Sequence, residues 1–170
     1  MRDRSRIIVT LAACFVLGAA AGCPSDDGDD MAEGEEGSEA DPFFPADYES
    51  TFTEVRDCRG SGDHDLHNIR ILAGPDALAP YQDRMESFPE GSLVLKVEHD
   101  FGDTTCEGEI LQYTVMRRLA EGSSPDTLDW EWQQVSPERE VLAEDLPRCI
   151  GCHTGCGVEP DGYQGTCAMP

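Results

Sequence analysis

The chain has 170 residues, with 35 acidic and 12 basic side chains, a formal charge of −23, eight cysteines and 39% hydrophobic residues. That length bounds it at one globular domain with an attachment, and a field of that sign repels phosphate backbones, so nucleic acid is not an expected partner. Residues 45–170 alone carry −16, which reads either as a face that helps a basic redox partner protein to dock or as a solvated acidic surface, the commoner case.

The attachment is at the front. MRDRSR supplies three arginines, IIVTLAACFVL is apolar, and GAAAG leads into Cys23. A basic n-region, a short apolar core and small residues at the exit make a secretory signal, too short for the ~20 residues of a transmembrane helix. Ala20, Ala21, Gly22 and Cys23 read as a lipoprotein site. Residues 1–22 are therefore expected to be a lipoprotein signal peptide, with Cys23 lipidated. LAAC, ending at Cys14, also fits the letters but shortens the apolar segment to seven residues, and ordinary cleavage after Ala21 would leave Cys23 as a thiol. The expected setting is a bacterial cell envelope, at a periplasmic or outer-membrane face, with membrane contact only through the lipid. Residues 23–44 hold nine carboxylates and no basic residue, a composition that predicts a disordered tether. The globular domain is expected over residues 45–170.

Within it, NIRILA (68–73), SLVLKVEH (92–99), EILQYTVMRRL (109–119) and LDWEWQQV (128–135) are short and rich in β-branched or aromatic residues, which predicts strands. In the last, Leu128, Trp130 and Trp132 alternate with Asp129 and Glu131, the period of a half-buried strand. GPD, FPEGS, FGDTT and EGSSPDT separate these segments as turns. Helices are expected around 47–55 and 81–87, with a last helical turn over 149–153. The fold class is mainly β: an antiparallel sheet with a few peripheral helices, α+β.

With Cys14 in the signal and Cys23 lipidated, six cysteines remain in an oxidising compartment, open to fifteen pairings if all form disulfides. Cys149, Cys152 and His153, however, spell C-x-x-C-H, the attachment signature of a c-type haem. Two thiols one helical turn apart can add to the two haem vinyl groups, and the adjacent histidine falls under the iron as proximal ligand. A zinc site wants about four ligands, and His64, His67 and His99 have no C-x-x-C spacing around them. A thioredoxin-like dithiol belongs after an early strand rather than near the C-terminus. One covalent haem c near the C-terminus is the expected cofactor. Cys156 and Cys167 then bracket a short loop as natural partners, which leaves Cys58 for Cys106; three disulfides and no haem is the alternative. Met85 and Met116 lie upstream as axial-ligand candidates but read as core, and Met169 is penultimate.

FPEGSLVLKVEH (88–99), YTVMRRL (113–119), DWEW (129–132), CIGCH (149–153) and DGY (161–163), in that order, resemble the elements of the cytochrome P-460 family, which includes the β-sheet cytochromes c′-beta. The resemblance covers residues 45–170. It implies a β-rich, usually dimeric haem c protein with His153 as proximal ligand and an open distal position. Arg117 and Arg118 stand where the family often has lysine after "vM", and DGYQGTC departs from the aromatic that tends to follow.

Lys96 is the single lysine of the chain, set in an apolar strand. On the residues alone it reads equally well as a strand lysine that snorkels to water. The resemblance implies more: it matches the lysine that in cytochromes P-460 is bonded to the porphyrin rim and supports hydroxylamine oxidation. Glu98 lies two residues on and shares its face of the strand, a candidate proton acceptor or simply an exposed carboxylate. His99 points the other way. His64 and His67 read as candidate sixth ligands or as loop surface; Trp130, Trp132 and Phe88 as pocket walls or as core. Two functions follow. One is an oxidoreductase acting on hydroxylamine or nitric oxide at an open haem iron. The alternative is a non-catalytic protein binding nitric oxide in the manner of cytochrome c′-beta, with an electron carrier third.

Overall fold

The computed structural model describes residues 40–168; the expected signal segment, Cys14, Cys23, most of the tether and Met169 lie outside the described residues. Six strands run in sequence order as one antiparallel meander: β1 (Thr53–Gly60), β2 (Asn68–Ala73), β3 (Leu93–His99), β4 (Ile110–Arg118), β5 (Trp130–Val135) and β6 (Val141–Glu144). Three helices flank it, α1 (Tyr48–Thr51), α2 (Pro75–Asp83) and α3 (Pro147–Cys156). The mainly β fold expected from the sequence is the one observed. No helix among the described residues is long and apolar enough to cross a membrane.

The four expected strands are β2 to β5, because each carries apolar side chains for both faces of a covered sheet. Register assigns every side chain to a face. Ala73, Val94, Met116 and Trp132 form one cross-strand row, and Ile71, Lys96, Thr114 and Gln134 the next. This face packs against α2 and α3, through Ala77, Tyr81, Cys149 and Ile150. The opposite face carries Leu72, Leu95, Val97, Tyr113, Val115 and Val135, and is closed by Phe44 and Tyr48 from the N-terminal segment. The two faces are thus separate cores on one sheet.

The edges differ from expectation. The helix predicted over 47–55 is only four residues long and gives way at Phe52 to β1. Threonine, phenylalanine and valine follow there, residues that lose side-chain freedom in a helix and fit a strand. β1 escaped notice because it is a polar edge strand, broken by register shifts between Glu54 and Arg56 and between Arg56 and Arg59, and so lacks strict alternation. β6 is a four-residue edge. The helix predicted at 81–87 starts six residues earlier, with Pro75 at its first turn, where a missing N–H is harmless. It ends at Arg84 in the left-handed region, φ 52°, and Met85 is exposed rather than core. Leu128 and Asp129 also have positive φ and precede β5; both Asp129 carboxylate oxygens accept from the turn amides of Gly122 and Ser124.

Packing extends ahead of the expected boundary at residue 45. Phe44 is 1% exposed and its ring meets Tyr48 and Tyr113 at 5.4 and 5.1 Å. Cys58 and Cys106 form a disulfide that ties β1 to the β3–β4 connection, and Cys156 and Cys167 form the second, as the cysteine spacing suggested. Phe44→Ala should lower stability by about 3–5 kcal/mol, measured by urea denaturation; no change would mean that residues 40–44 do not belong to the folded unit.

Candidate functional site

Between α3 and the apolar-and-polar face of the sheet lies a cavity of about 270 Å³. Ile69, Ile71, Val94, Met116 and Trp132 wall it; Lys96, His64, Cys149, Cys152 and His153 open into it. The structure therefore brings Lys96 and the C-x-x-C-H motif, 53 residues apart at their closest, to one site.

The motif lies on α3, which begins with Pro147 in its first turn. Helical pitch puts positions three and four apart on one side, so Cys149, Cys152 and His153 can address the same space. Cys149 and Cys152 are free thiols, whereas the other four described cysteines are paired. Burial pushes the Cys149 thiol up. His153 is 8% exposed, and its Nδ1 lies 2.6 Å from the Gly165 carbonyl. A carbonyl only accepts, so Nδ1 carries the hydrogen and Nε2 keeps its lone pair. Burial, assisted by the charge of Lys96, pushes the ring down to about 3, so it is neutral at physiological pH. Trp132 packs beside it with ring centroids 5.7 Å apart. A neutral histidine with one nitrogen anchored and the other free is the state a metal-ligating imidazole needs. The two thiols, this histidine and the apolar wall fit a covalently held haem.

On the strand side, Lys96 and Glu98 share a face of β3, as alternation requires. Glu98 is fully buried and has four donors. His64 Nδ1 (3.3 Å) and Thr114 Oγ1 (3.0 Å) approach Oε1; His67 Nδ1 (2.8 Å) and Gln112 Nε2 (2.7 Å) approach Oε2. Burial alone would raise the carboxyl, but these hydrogen bonds and charges win and hold it down at about 2. Glu98 is therefore a poor proton acceptor, and not the exposed carboxylate that was the other reading. Lys96 is half-buried, its open part in the cavity; burial pushes it down to about 8 against the pull of Glu98. Its Nζ lies 2.6 Å from His64 Nε2.

A family model, Cytochrome P460, matches residues 45–159. The chain belongs to the cytochrome P460 family. It is a haem protein of that family, whose members bind haem c covalently. No curated protein matches the chain significantly.

Several residues stand elsewhere than the sequence suggested. His64 and His67 are partly buried and turn their Nδ1 atoms to Glu98, at 3.3 and 2.8 Å. His99 faces away as expected, but is buried, with its Nδ1 3.5 Å from Asp103. Trp132 and Met116 line the cavity, while Phe88 and Trp130 stack edge-to-face at 5.2 Å in the adjoining core. Arg117 pairs with Glu131 at 2.6 Å, and Arg118 donates to the Leu128 carbonyl. Sequence reading missed Gln112, Thr114 and Gly165. The signal for the first two was their polarity on the face that also carries Met116; Gly165 acts through its backbone and left none.

Two predictions follow from this geometry. A Cβ at Gly165, where φ is +92°, would lie 2.6 Å from Trp130 Nε1. Gly165→Ala should cost at least about 2 kcal/mol through strain and overpacking, and lower the fraction of protein that carries haem, read by absorbance per chain. Glu98 titrates near 4.5 unfolded and about 2 folded, so its stabilisation is present above pH 4.5 and lost as pH falls toward 2. That amounts to something on the order of 3 kcal/mol. Urea midpoints followed across this window should fall steeply in the wild type, and Glu98→Gln should flatten that fall.

Proposed function

We propose that this protein is an exported c-type haem protein that oxidises a small nitrogen species, hydroxylamine or nitric oxide, at an open haem position, with Lys96 bonded to the porphyrin rim. The observation that carries the reading is Lys96 itself. The single lysine of the chain projects from the middle of a strand into the cavity that also holds Cys149, Cys152 and His153. A lysine that merely snorkels would lead its ammonium to water; this one is turned inward and pushed down to about 8 by burial, toward the neutral amine that has a lone pair to share.

In this reading Cys149 and Cys152 would hold the haem through thioether bonds, and His153, neutral and fixed by Gly165, would ligate its iron. When bound, the haem supplies an iron that exchanges electrons and a position for a small ligand. Ile69, Ile71, Val94, Met116 and Trp132 give the cavity that would hold it an apolar wall. Electrons pass to a redox partner protein, for which the −16 charge of residues 45–170 favours a basic face. Cys23 lipidation would tether the domain to the bacterial envelope, and a homodimer is part of the proposal. A non-catalytic, nitric oxide-binding role has the same apolar wall in its favour; Lys96 would then stay free.

The ferrous absorption spectrum decides between them. With the chain exported from a host that attaches haem c, a strongly red-shifted Soret band is expected, returning to the ordinary c-type position in Lys96→Ala. An ordinary high-spin spectrum in the wild type would sink the lysine bond and favour ligand binding. Absence of covalent haem, or its persistence through both thioethers in Cys149→Ser, would overturn the attachment.

A further inference from the structure

The imidazole of His153 belongs to a closed ring of hydrogen bonds. The His153 carbonyl accepts from the Gly157 N–H at 2.8 Å, and the Gly157 carbonyl accepts from the Gly165 N–H at 2.7 Å. The Gly165 carbonyl completes the ring by accepting from His153 Nδ1 at 2.6 Å. Two of these bonds cross from α3 and its cap to the segment that follows, residues 158–168. A disulfide crosses beside them, from Cys156, the last residue of α3, to Cys167, two residues beyond Gly165. We propose that the Cys156–Cys167 disulfide is a positioning group for His153, holding the Gly165 carbonyl in register with the imidazole.

Otherwise residues 158–168 are fastened away from α3. Trp130 Nε1 donates to the Gln164 carbonyl at 2.6 Å, and the Phe88 N–H to Gln164 Oε1 at 3.3 Å. Tyr163 Oη donates to the Glu86 carbonyl at 3.0 Å; Arg84 and Tyr81 donate to the Ala168 carbonyl at 2.9 and 3.3 Å. These partners lie on α2, on the connection after it and on β5. The disulfide therefore ties a segment seated on the sheet side to the helix that carries Cys149, Cys152 and His153. With it open, the two hydrogen bonds remain across the join, each of modest net strength. A disulfide limits how far its ends can part whether or not those bonds are made.

The tie lies at the site, since Cys156 and Cys167 both line the cavity. The second disulfide, Cys58–Cys106, joins β1 to the β3–β4 connection and is not part of that lining. It provides a comparison within the molecule: the same chemistry, without a path to His153. A metal-ligating histidine owes its orientation and basicity to the acceptor at its other nitrogen. The disulfide thus bears on that nitrogen although neither sulfur contacts the ring. The inference deepens the proposed function and rests on His153 being the ligand of the haem iron.

The test reads the His153 hydrogen bond itself. The full chain, with haem attached, is labelled with 15N at histidine, and its iron is kept ferrous under carbon monoxide, hence diamagnetic. Exchange of the Nδ1 hydrogen with solvent is then followed by NMR. In the wild type that hydrogen is expected to exchange slowly. Cys156→Ala/Cys167→Ala should speed its exchange about tenfold or more. Cys58→Ala/Cys106→Ala should lower the urea midpoint and leave the exchange within about twofold of wild type.

If Cys156→Ala/Cys167→Ala fails to fold, dithiothreitol applied to folded Cys58→Ala/Cys106→Ala opens the same disulfide. The dithiol gives up two electrons and two protons and becomes a cyclic disulfide, while Cys156 and Cys167 become thiols. Thioethers contain no S–S bond and are untouched. The same acceleration is expected, and reoxidation should reverse it. Exchange no faster in the opened form than in its closed parent makes the disulfide a staple alone and overturns the proposal, whatever the urea midpoint does. Equal acceleration by loss of Cys58–Cys106 overturns it as well. The attachment reading fails separately, by absence of haem absorbance in every form; the same exchange, measured on the haem-free chain, then still decides the positioning.

Discussion

A charged carboxylate inside a sheet is tolerated only if donors surround it, and Glu98 imposes that condition on two other segments at once. His64 and His67 come from the β1–β2 connection, Gln112 and Thr114 from β4. The register that pairs Ile69 with Glu98 and Glu98 with Gln112 is the register that brings these donors within reach. A slip of one residue would turn both Lys96 and Glu98 into the apolar core on the other face, where Leu95 and Val97 now pack. The same ion pairing that satisfies Glu98 thus locks the alignment of the three central strands.

The sheet divides its labour by face. Toward Phe44 and Tyr48 it is dry and closed; toward α3 it carries a graded row of side chains, apolar near Trp132 and Met116 and polar near Glu98. His153 approaches the apolar part, Lys96 stands between, and the charged cluster lies beyond. A reactive centre placed in that gradient has a water-poor side at its metal ligand and a hydrogen-bonded side where protons can move.

Legibility followed sequence locality. β2 to β5 were readable because apolar, β-branched and aromatic residues recur at strand period, and C-x-x-C-H because its three side chains share one helical turn. β1 and β6 were hidden by their polarity as edges, and α2 by Pro80, which reads as a stop although it lies inside the helix. The cluster around Glu98 was not readable because its members are up to 50 residues apart, joined only by strand register. Lys96 and Glu98 announced themselves as charges in an apolar run, but what answered those charges came from tertiary structure.

The family match stops at residue 159, yet the carbonyl that sets the orientation of His153 belongs to Gly165, and Cys167 returns the tail to α3 at Cys156. The last turn of the chain is thus a brace, bolted to the helix it steadies. A shortened version cut where the shared pattern ends would retain C-x-x-C-H and lose the part that aims the imidazole.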